Sequence, residues 1–66
     1  MKKADELMNE CRSRNLNCSI TYQNITDYSV EIYAGYVKTY REVYYTDGHL
    51  TSKKAISKAL KFITKQ

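Results

Sequence analysis

Apolar residues near the start of the chain recur at the spacing of a helix. Within residues 3–14, Ala4, Leu7, Met8 and Cys11 follow the i, i+3, i+4, i+7 rule, and charged residues occupy the other faces. The segment from Asn15 to Asn17 is expected to end the helix. The pattern therefore predicts an amphipathic helix over residues 3–14.

Three segments in the middle of the chain alternate with a period of two. They are residues 17–23, 28–36 and 39–46. Alternation rich in β-branched and aromatic residues is typical of half-buried strands. The links at residues 24–27 and 35–38 are short and turn-like, which favours antiparallel hairpins.

The same alternation assigns the strand residues to two faces of the predicted sheet. One face is apolar and is expected to meet the helices; it includes Cys18, Ile20, Tyr22, Tyr28, Val30, Ile32, Ala34, Val43 and Tyr45. The other face is expected to be open to solvent; it includes Ser19, Thr21, Glu31, Tyr33, Tyr40, Glu42 and Tyr44.

A second amphipathic helix follows the strands. Asp47-Gly48 ends the third strand, and Thr51 or Ser52 is a natural N-cap. The predicted core face of this helix consists of Ala55, Ile56, Ala59, Leu60 and Ile63, with Phe62 at its edge. We therefore predict an α+β fold of order αβββα, in which both helices pack on one face of a three-stranded antiparallel sheet.

Length and composition narrow the functional classes. The 66 residues suffice for one small domain, residues 1–66, and leave little room for a scaffold with a deep substrate pocket. We expect a protein that is not an enzyme and needs no cofactor. Neither a run of about 18 apolar residues nor the apolar stretch of a signal peptide is present, so we expect a cytoplasmic location and no membrane partner.

The net charge of +4 is concentrated at the end of the chain. No acidic residue follows Asp47, and the lysines after it are Lys53, Lys54, Lys58, Lys61 and Lys65. At helical spacing they form a positive stripe, typical of a surface that binds an acidic protein patch or a nucleic acid. A solvated helix face is the alternative. Ser52 joins the candidate site because free N–H groups at a helix N-terminus favour phosphate.

Tyrosine is the second conspicuous residue type, with seven in the chain. Tyr33, Tyr40 and Tyr44 on the open face are candidate anchors for a protein partner, since exposed tyrosines are favoured at interfaces. Glu31 and Glu42 on the same face would repel phosphate. The alternative is cross-strand pairing that only stabilises the sheet.

Cysteine and histidine offer weaker chemistry. Cys11, Cys18 and the distant His49 are too few for a structural zinc site, and no metal is expected. A disulfide between the two cysteines is conceivable, but buried thiols fit both periodicities. His49 with Asp47 could suggest acid–base chemistry, but no nucleophile has a credible base.

The element order resembles that of the double-stranded-RNA-binding domain. The closest local match is Thr51-Ser52-Lys53-Lys54-Ala55, in which Lys53 and Lys54 match the family's paired lysines and Lys58 falls one position after its third. The resemblance implies phosphate contacts by these lysines and a minor-groove contact by Glu6 or Asn9. The family's Gly-Pro-x-His loop is absent, and residues 24–27 stand in its place.

In its general type, and not through a shared motif, the chain also resembles small prophage-encoded inhibitors of host defence, including anti-CRISPR proteins. The likeness rests on its size, its tyrosine-rich sheet and its lack of a catalytic motif. It implies a protein that sterically blocks a nuclease or another nucleic-acid-handling protein. The leading hypothesis is such an inhibitor, with lysines meeting an acidic surface; the rival is direct binding of duplex RNA or DNA.

Overall fold

The computed structural model of the chain describes residues 2–35 and 41–65. Its elements are the helix α1 (Lys2–Ser13), the strands β1 (Asn17–Gln23), β2 (Asp27–Ala34) and β3 (Arg41–His49), and the helix α2 (Ser52–Thr64). The strands form one antiparallel sheet in the order β1-β2-β3. The predicted α+β fold of order αβββα is therefore confirmed.

The core lies between the sheet and the two helices, which pack on the same face. α1 lies over β1, and α2 lies over β2 and β3. The fully buried apolar side chains come from the two helices and the central strand; they are Leu7, Cys11, Val30, Ile32, Ala55, Ile56, Ala59 and Ile63. Met8, which the periodicity places with them, remains 46% exposed.

The end of α1 is fixed by local hydrogen bonds. Asn15 adopts a left-handed backbone with φ 58°, which asparagine tolerates better than most residues. The N–H of Leu16 donates to the carbonyl of Cys11 at 2.8 Å, and that of Asn15 donates to Arg12 at 3.1 Å. This is a Schellman motif, and it turns the chain directly into β1.

A bulge in β3 changes the predicted faces of that strand. Ile32 pairs with Tyr44 and the next residue, Tyr33, pairs with Glu42, so Val43 is an extra residue in β3. Both Val43 and Tyr44 consequently pack against the core. The predictions that Tyr44 lies on the open face and Tyr45 on the core face are therefore wrong, because simple alternation stops at the bulge.

A second irregularity lengthens β3. Tyr28 pairs with His49, whereas Val30 pairs with Thr46, so β3 again holds one residue more than β2. Gly48 supplies the left-handed backbone needed there, with φ 75°, and its N–H donates to the carbonyl of Thr26 at 2.8 Å. The predicted end of the third strand at residue 46 is therefore wrong, because the glycine bends the strand without ending it.

Candidate functional site

An open groove of about 620 Å³ runs along the start of α2. It is lined by His49, Thr51, Lys53, Lys54, Ser57, Lys58 and Lys61. We call this set the lysine groove. Its four lysines are all exposed, and they are the four that the sequence assigns to a binding site.

The start of α2 is set by Thr51. This residue has an extended backbone, with φ −135° and ψ 150°, and its side-chain oxygen accepts a hydrogen bond from the N–H of Lys54 at 3.2 Å. Thr51 is thus the N-cap, which decides between the two predicted caps. Ser52 is the first helical residue, half-buried beside the groove.

The lysines share one side of α2 because the opposite side is needed for the core. Ala55, Ile56, Ala59 and Ile63 are buried against the sheet. The outward positions Lys54, Lys58 and Lys61 span about 10 Å along the axis, at 1.5 Å per residue. The packing of the helix therefore aligns the ammonium groups as the charge pattern predicts.

None of these ammonium groups is neutralised by a carboxylate in the part of the chain that the structure describes. The ion pair found there joins Arg14 to Glu10 within α1. The groove lining includes no acidic residue. The positive potential of the lysine groove is consequently directed towards solvent, where a negatively charged partner can reach it.

The open face of the sheet has the opposite charge. Cross-strand pairing places Ser19 opposite Glu31, Glu31 opposite Tyr45, and Tyr33 opposite Glu42, all on the face away from the buried Val30 and Ile32. Asp47 joins them, because the hydroxyl of Tyr45 donates to its carboxylate at 3.3 Å. Partial removal from water, followed by the charge of Asp47, raises the pKa of Tyr45.

Tyr33 and Tyr44, the candidate tyrosines that the structure describes, therefore do not form one surface with the lysines. Tyr33 is half-buried on the open face, whereas α2 lies on the other layer of a molecule whose shortest dimension is 18 Å. Tyr44 stacks on Phe62 of α2, with ring centroids 4.4 Å apart and planes inclined by 18°. Tyr40 lies outside the described residues.

His49 and Asp47 do not act as a pair. The Nε2 atom of His49 is 2.7 Å from the hydroxyl of Thr46, and the His49 side chain lines the lysine groove. Asp47 instead bonds to Tyr45 on the open face. The acid–base pairing considered from the sequence thus has no geometric basis.

The two cysteines are free thiols near each other. Burial, and then the neighbouring Cys18, raise the pKa of the Cys11 thiol to about 11. A thiol with so high a pKa is a poor nucleophile at neutral pH. Within residues 2–35 and 41–65, no group of three or more His, Cys, Asp or Glu side chains could hold a metal ion.

Three residues that line the groove, His49, Thr51 and Ser57, are absent from the predicted site, and Thr51 was considered only as a helix cap. The helical spacing could have indicated Ser57, because it lies one turn after Lys53 and one turn before Lys61. His49 joins the groove only because β3 continues past Gly48.

In the described part of the chain, neither helix has the length and apolar character required to cross a membrane. Comparisons with protein-family models, with curated proteins and with solved structures find no match to this chain.

Proposed function

We propose that this chain is a small non-enzymatic binding protein of the phage or mobile-element type. Its lysine groove would occupy an acidic surface of a nucleic-acid-handling protein and block it sterically, as an anti-CRISPR inhibitor does. The observation that supports the proposal is the lysine groove itself: four exposed lysines on one concave surface, with no acidic residue in its lining.

The size of the domain fits a blocking role. A standard protein interface buries about 800 Å² of each partner, which is roughly a sixth of the 4862 Å² accessible surface of this chain. The exposed side of α2 with its flanking loops could supply that area.

The distribution of charge would orient the molecule on its partner. The lysines lie on the helix layer, whereas Glu31, Glu42 and Asp47 lie on or beside the open face of the sheet. A negatively charged surface attracts the first side and repels the second, which increases the rate of productive encounters. Because Tyr33 lies on the repelled side, the proposal assigns the contact to Lys53, Lys54, Lys58 and Lys61.

Direct binding of duplex RNA or DNA is the second candidate. It is favoured by the position of the turn at residues 24–26, which a hydrogen bond to Gly48 holds at the end of the sheet where α2 begins. The resemblance to the double-stranded-RNA-binding domain implies that the paired lysines contact phosphate, and the turn stands in the place of the family's minor-groove loop without its Gly-Pro-x-His sequence.

The test is a charge reversal, Lys53→Glu with Lys54→Glu, assayed by co-precipitation from a nuclease-treated extract of cells that carry the gene. We expect the double variant to lose its partner, with affinity reduced at least about tenfold. It should remain folded, because acids in the first turn suit the helix dipole and a glutamate at position 54 forms a capping box with Thr51.

The matched control is Lys3→Glu with Arg41→Glu, which changes the net charge equally at exposed positions outside the groove. The control should retain its partner. A target recovered only when nucleic acid is intact would contradict the proposal. So would retention of duplex RNA or DNA at low salt that weakens linearly on a log–log plot, which would establish the second candidate instead.

A further inference from the structure

Two large aliphatic side chains project into solvent at one end of the molecule. Ile25 is 94% exposed and Leu50 is 78% exposed. Exposed apolar side chains mark interaction sites where they form a patch bordered by polar residues. We call Ile25 and Leu50 the apolar tip.

The two residues of the apolar tip lie on connecting segments that a backbone hydrogen bond joins. Ile25 precedes Thr26, whose carbonyl accepts the hydrogen bond from Gly48 at 2.8 Å. Leu50 follows His49, which pairs with Tyr28. The turn between β1 and β2 and the loop between β3 and α2 are thereby held together at the same end of the sheet.

The apolar tip is continuous with the lysine groove. Leu50 stands between His49 and Thr51, and both of these residues line the groove. On the other side, Tyr22 is 56% exposed and packs against Tyr28 in a tilted arrangement, with ring centroids 5.0 Å apart and planes inclined by 54°. The end of the sheet thus presents apolar surface beside four ammonium groups.

Core packing does not explain why aliphatic residues stand at positions 25 and 50. Neither Ile25 nor Leu50 is among the residues that pack against the core. A β-branched residue is also a poor choice in a tight turn, where Asn, Asp, Ser or Gly is preferred. Both side chains are therefore available to a partner.

We propose that the apolar tip and the lysine groove form one docking surface, and that its occupant is a folded protein presenting an apolar depression bordered by carboxylates. This inference rests on the proposed function and specifies the partner. Protein interfaces combine a few buried apolar anchors with a polar rim, which is the arrangement found here.

A nucleic-acid duplex and a membrane fit this surface less well than a folded protein does. A nucleic-acid duplex presents mainly phosphate and sugar outside its grooves, and aliphatic side chains contact it only at base edges or between base steps. Binding to an anionic membrane relies on a broad apolar helix face or on a lipid anchor. The tip has only two aliphatic side chains, set beside compact positive charge.

The first experiment maps the surface by site-specific photo-crosslinking in the full chain. A photoreactive amino acid is placed at position 25, at position 57 within the groove, and at position 45 on the open face as the control. We expect positions 25 and 57 to crosslink the same protein and position 45 to give no such product. Crosslinks to different proteins from positions 25 and 57 would contradict a single docking surface.

The second experiment measures affinity for that crosslinked protein after its purification. We expect Ile25→Asn with Leu50→Asn to weaken binding about tenfold or more, as loss of an apolar anchor does. The slope of affinity against salt should be unchanged in this variant and reduced in Lys53→Glu with Lys54→Glu, because only the lysines contribute ionic contacts. The melting temperature of the tip variant should match that of the wild type.

The outcomes separate this inference from the proposed function. If the lysine variant loses binding and the tip variant retains it, the inference fails and the proposed function stands. If neither variant loses binding, the proposed function fails as well. Sedimentation of the wild type, but not of the tip variant, with phosphatidylserine-containing vesicles would replace the protein partner with a lipid surface.

Discussion

Replacement of Tyr44 by alanine tests the bulge in β3 directly. The Tyr44 ring is half-buried and stacks on Phe62 with centroids 4.4 Å apart. Truncation of a fully buried aromatic residue costs about 3–5 kcal/mol, so a half-buried ring should cost about 2 kcal/mol. Loss of the stacked pair adds about 1 kcal/mol. We therefore expect Tyr44→Ala to lower the free energy of unfolding by about 3 kcal/mol.

That loss is large for a domain of this size. A stability of about 0.05–0.15 kcal/mol per residue gives this chain roughly 3–10 kcal/mol in total. A loss of 1 kcal/mol lowers the melting temperature of a small domain by about 4–8 °C, so we expect a decrease of about 12–24 °C. Urea and thermal unfolding followed by far-ultraviolet circular dichroism would measure both quantities.

The neighbouring tyrosine is the matched control. Tyr45 is 46% exposed on the open face, and its hydroxyl donates to Asp47. We expect Tyr45→Ala to cost less than about 1 kcal/mol, as is usual at an exposed position. If Tyr45→Ala proved the more destabilising of the two, β3 would have the uninterrupted alternation that the sequence suggests, and the bulge at Val43 would be refuted.

A double-mutant cycle would isolate the stacked pair itself. With Tyr44→Ala and Phe62→Ala made singly and together, we expect an interaction free energy of about 1 kcal/mol. Strict additivity of the two single losses would show that the rings do not stabilise each other.

Three further predictions concern the stability contributed by Gly48, by the N-cap Thr51 and by the Cys11 thiol. Gly48→Ala should lower the free energy of unfolding by about 1–2 kcal/mol through backbone strain at φ 75°. A steric clash should add nothing, because no atom lies within 4 Å of the added Cβ. An unchanged urea midpoint would contradict the left-handed backbone. Thr51→Ala should lower the free energy of unfolding by about 1 kcal/mol because it removes the N-cap, whereas Thr51→Ser should retain most of that stability. Equal losses for the two variants in chemical denaturation would exclude the cap. The raised pKa of Cys11, about 11 against an ordinary 9.0, means that the folded state holds the thiol proton more tightly. The resulting stability is fully present below pH 9 and is lost, by about 3 kcal/mol, as the pH rises through 11. Urea titrations across this range should show a steeper alkaline loss in the wild type than in Cys11→Ala, and identical slopes would refute the shift.

The positions of the helices and strands follow from local sequence because each has an amphipathic pattern. The core face of α2 was predicted and its cap was narrowed to Thr51 or Ser52, since helical periodicity and capping involve residues close together in the chain. The positive stripe on α2 was predicted for the same reason. Once the apolar side of a helix is assigned, its charged side is assigned as well.

The faces of β3 required the tertiary structure. An extra residue at Val43 and the left-handed Gly48 shift the register against β2, and such shifts depend on which residues of a distant strand pair with them. The shift moves Tyr44 into the core and Tyr45 out of it. No periodicity within the strand itself contains that information.

What the sequence determined by itself is the set of elements and the lysine stripe, because both depend on neighbours within a few residues along the chain. Which distant residues share a surface depends instead on how the elements pack. The tertiary structure brings His49 into the lysine groove, joins the turn that contains Ile25 to the end of β3, and sets Tyr33 on the opposite layer from Lys53. The physical reason is that strand pairing and helix packing, which act between residues far apart in sequence, fix these positions.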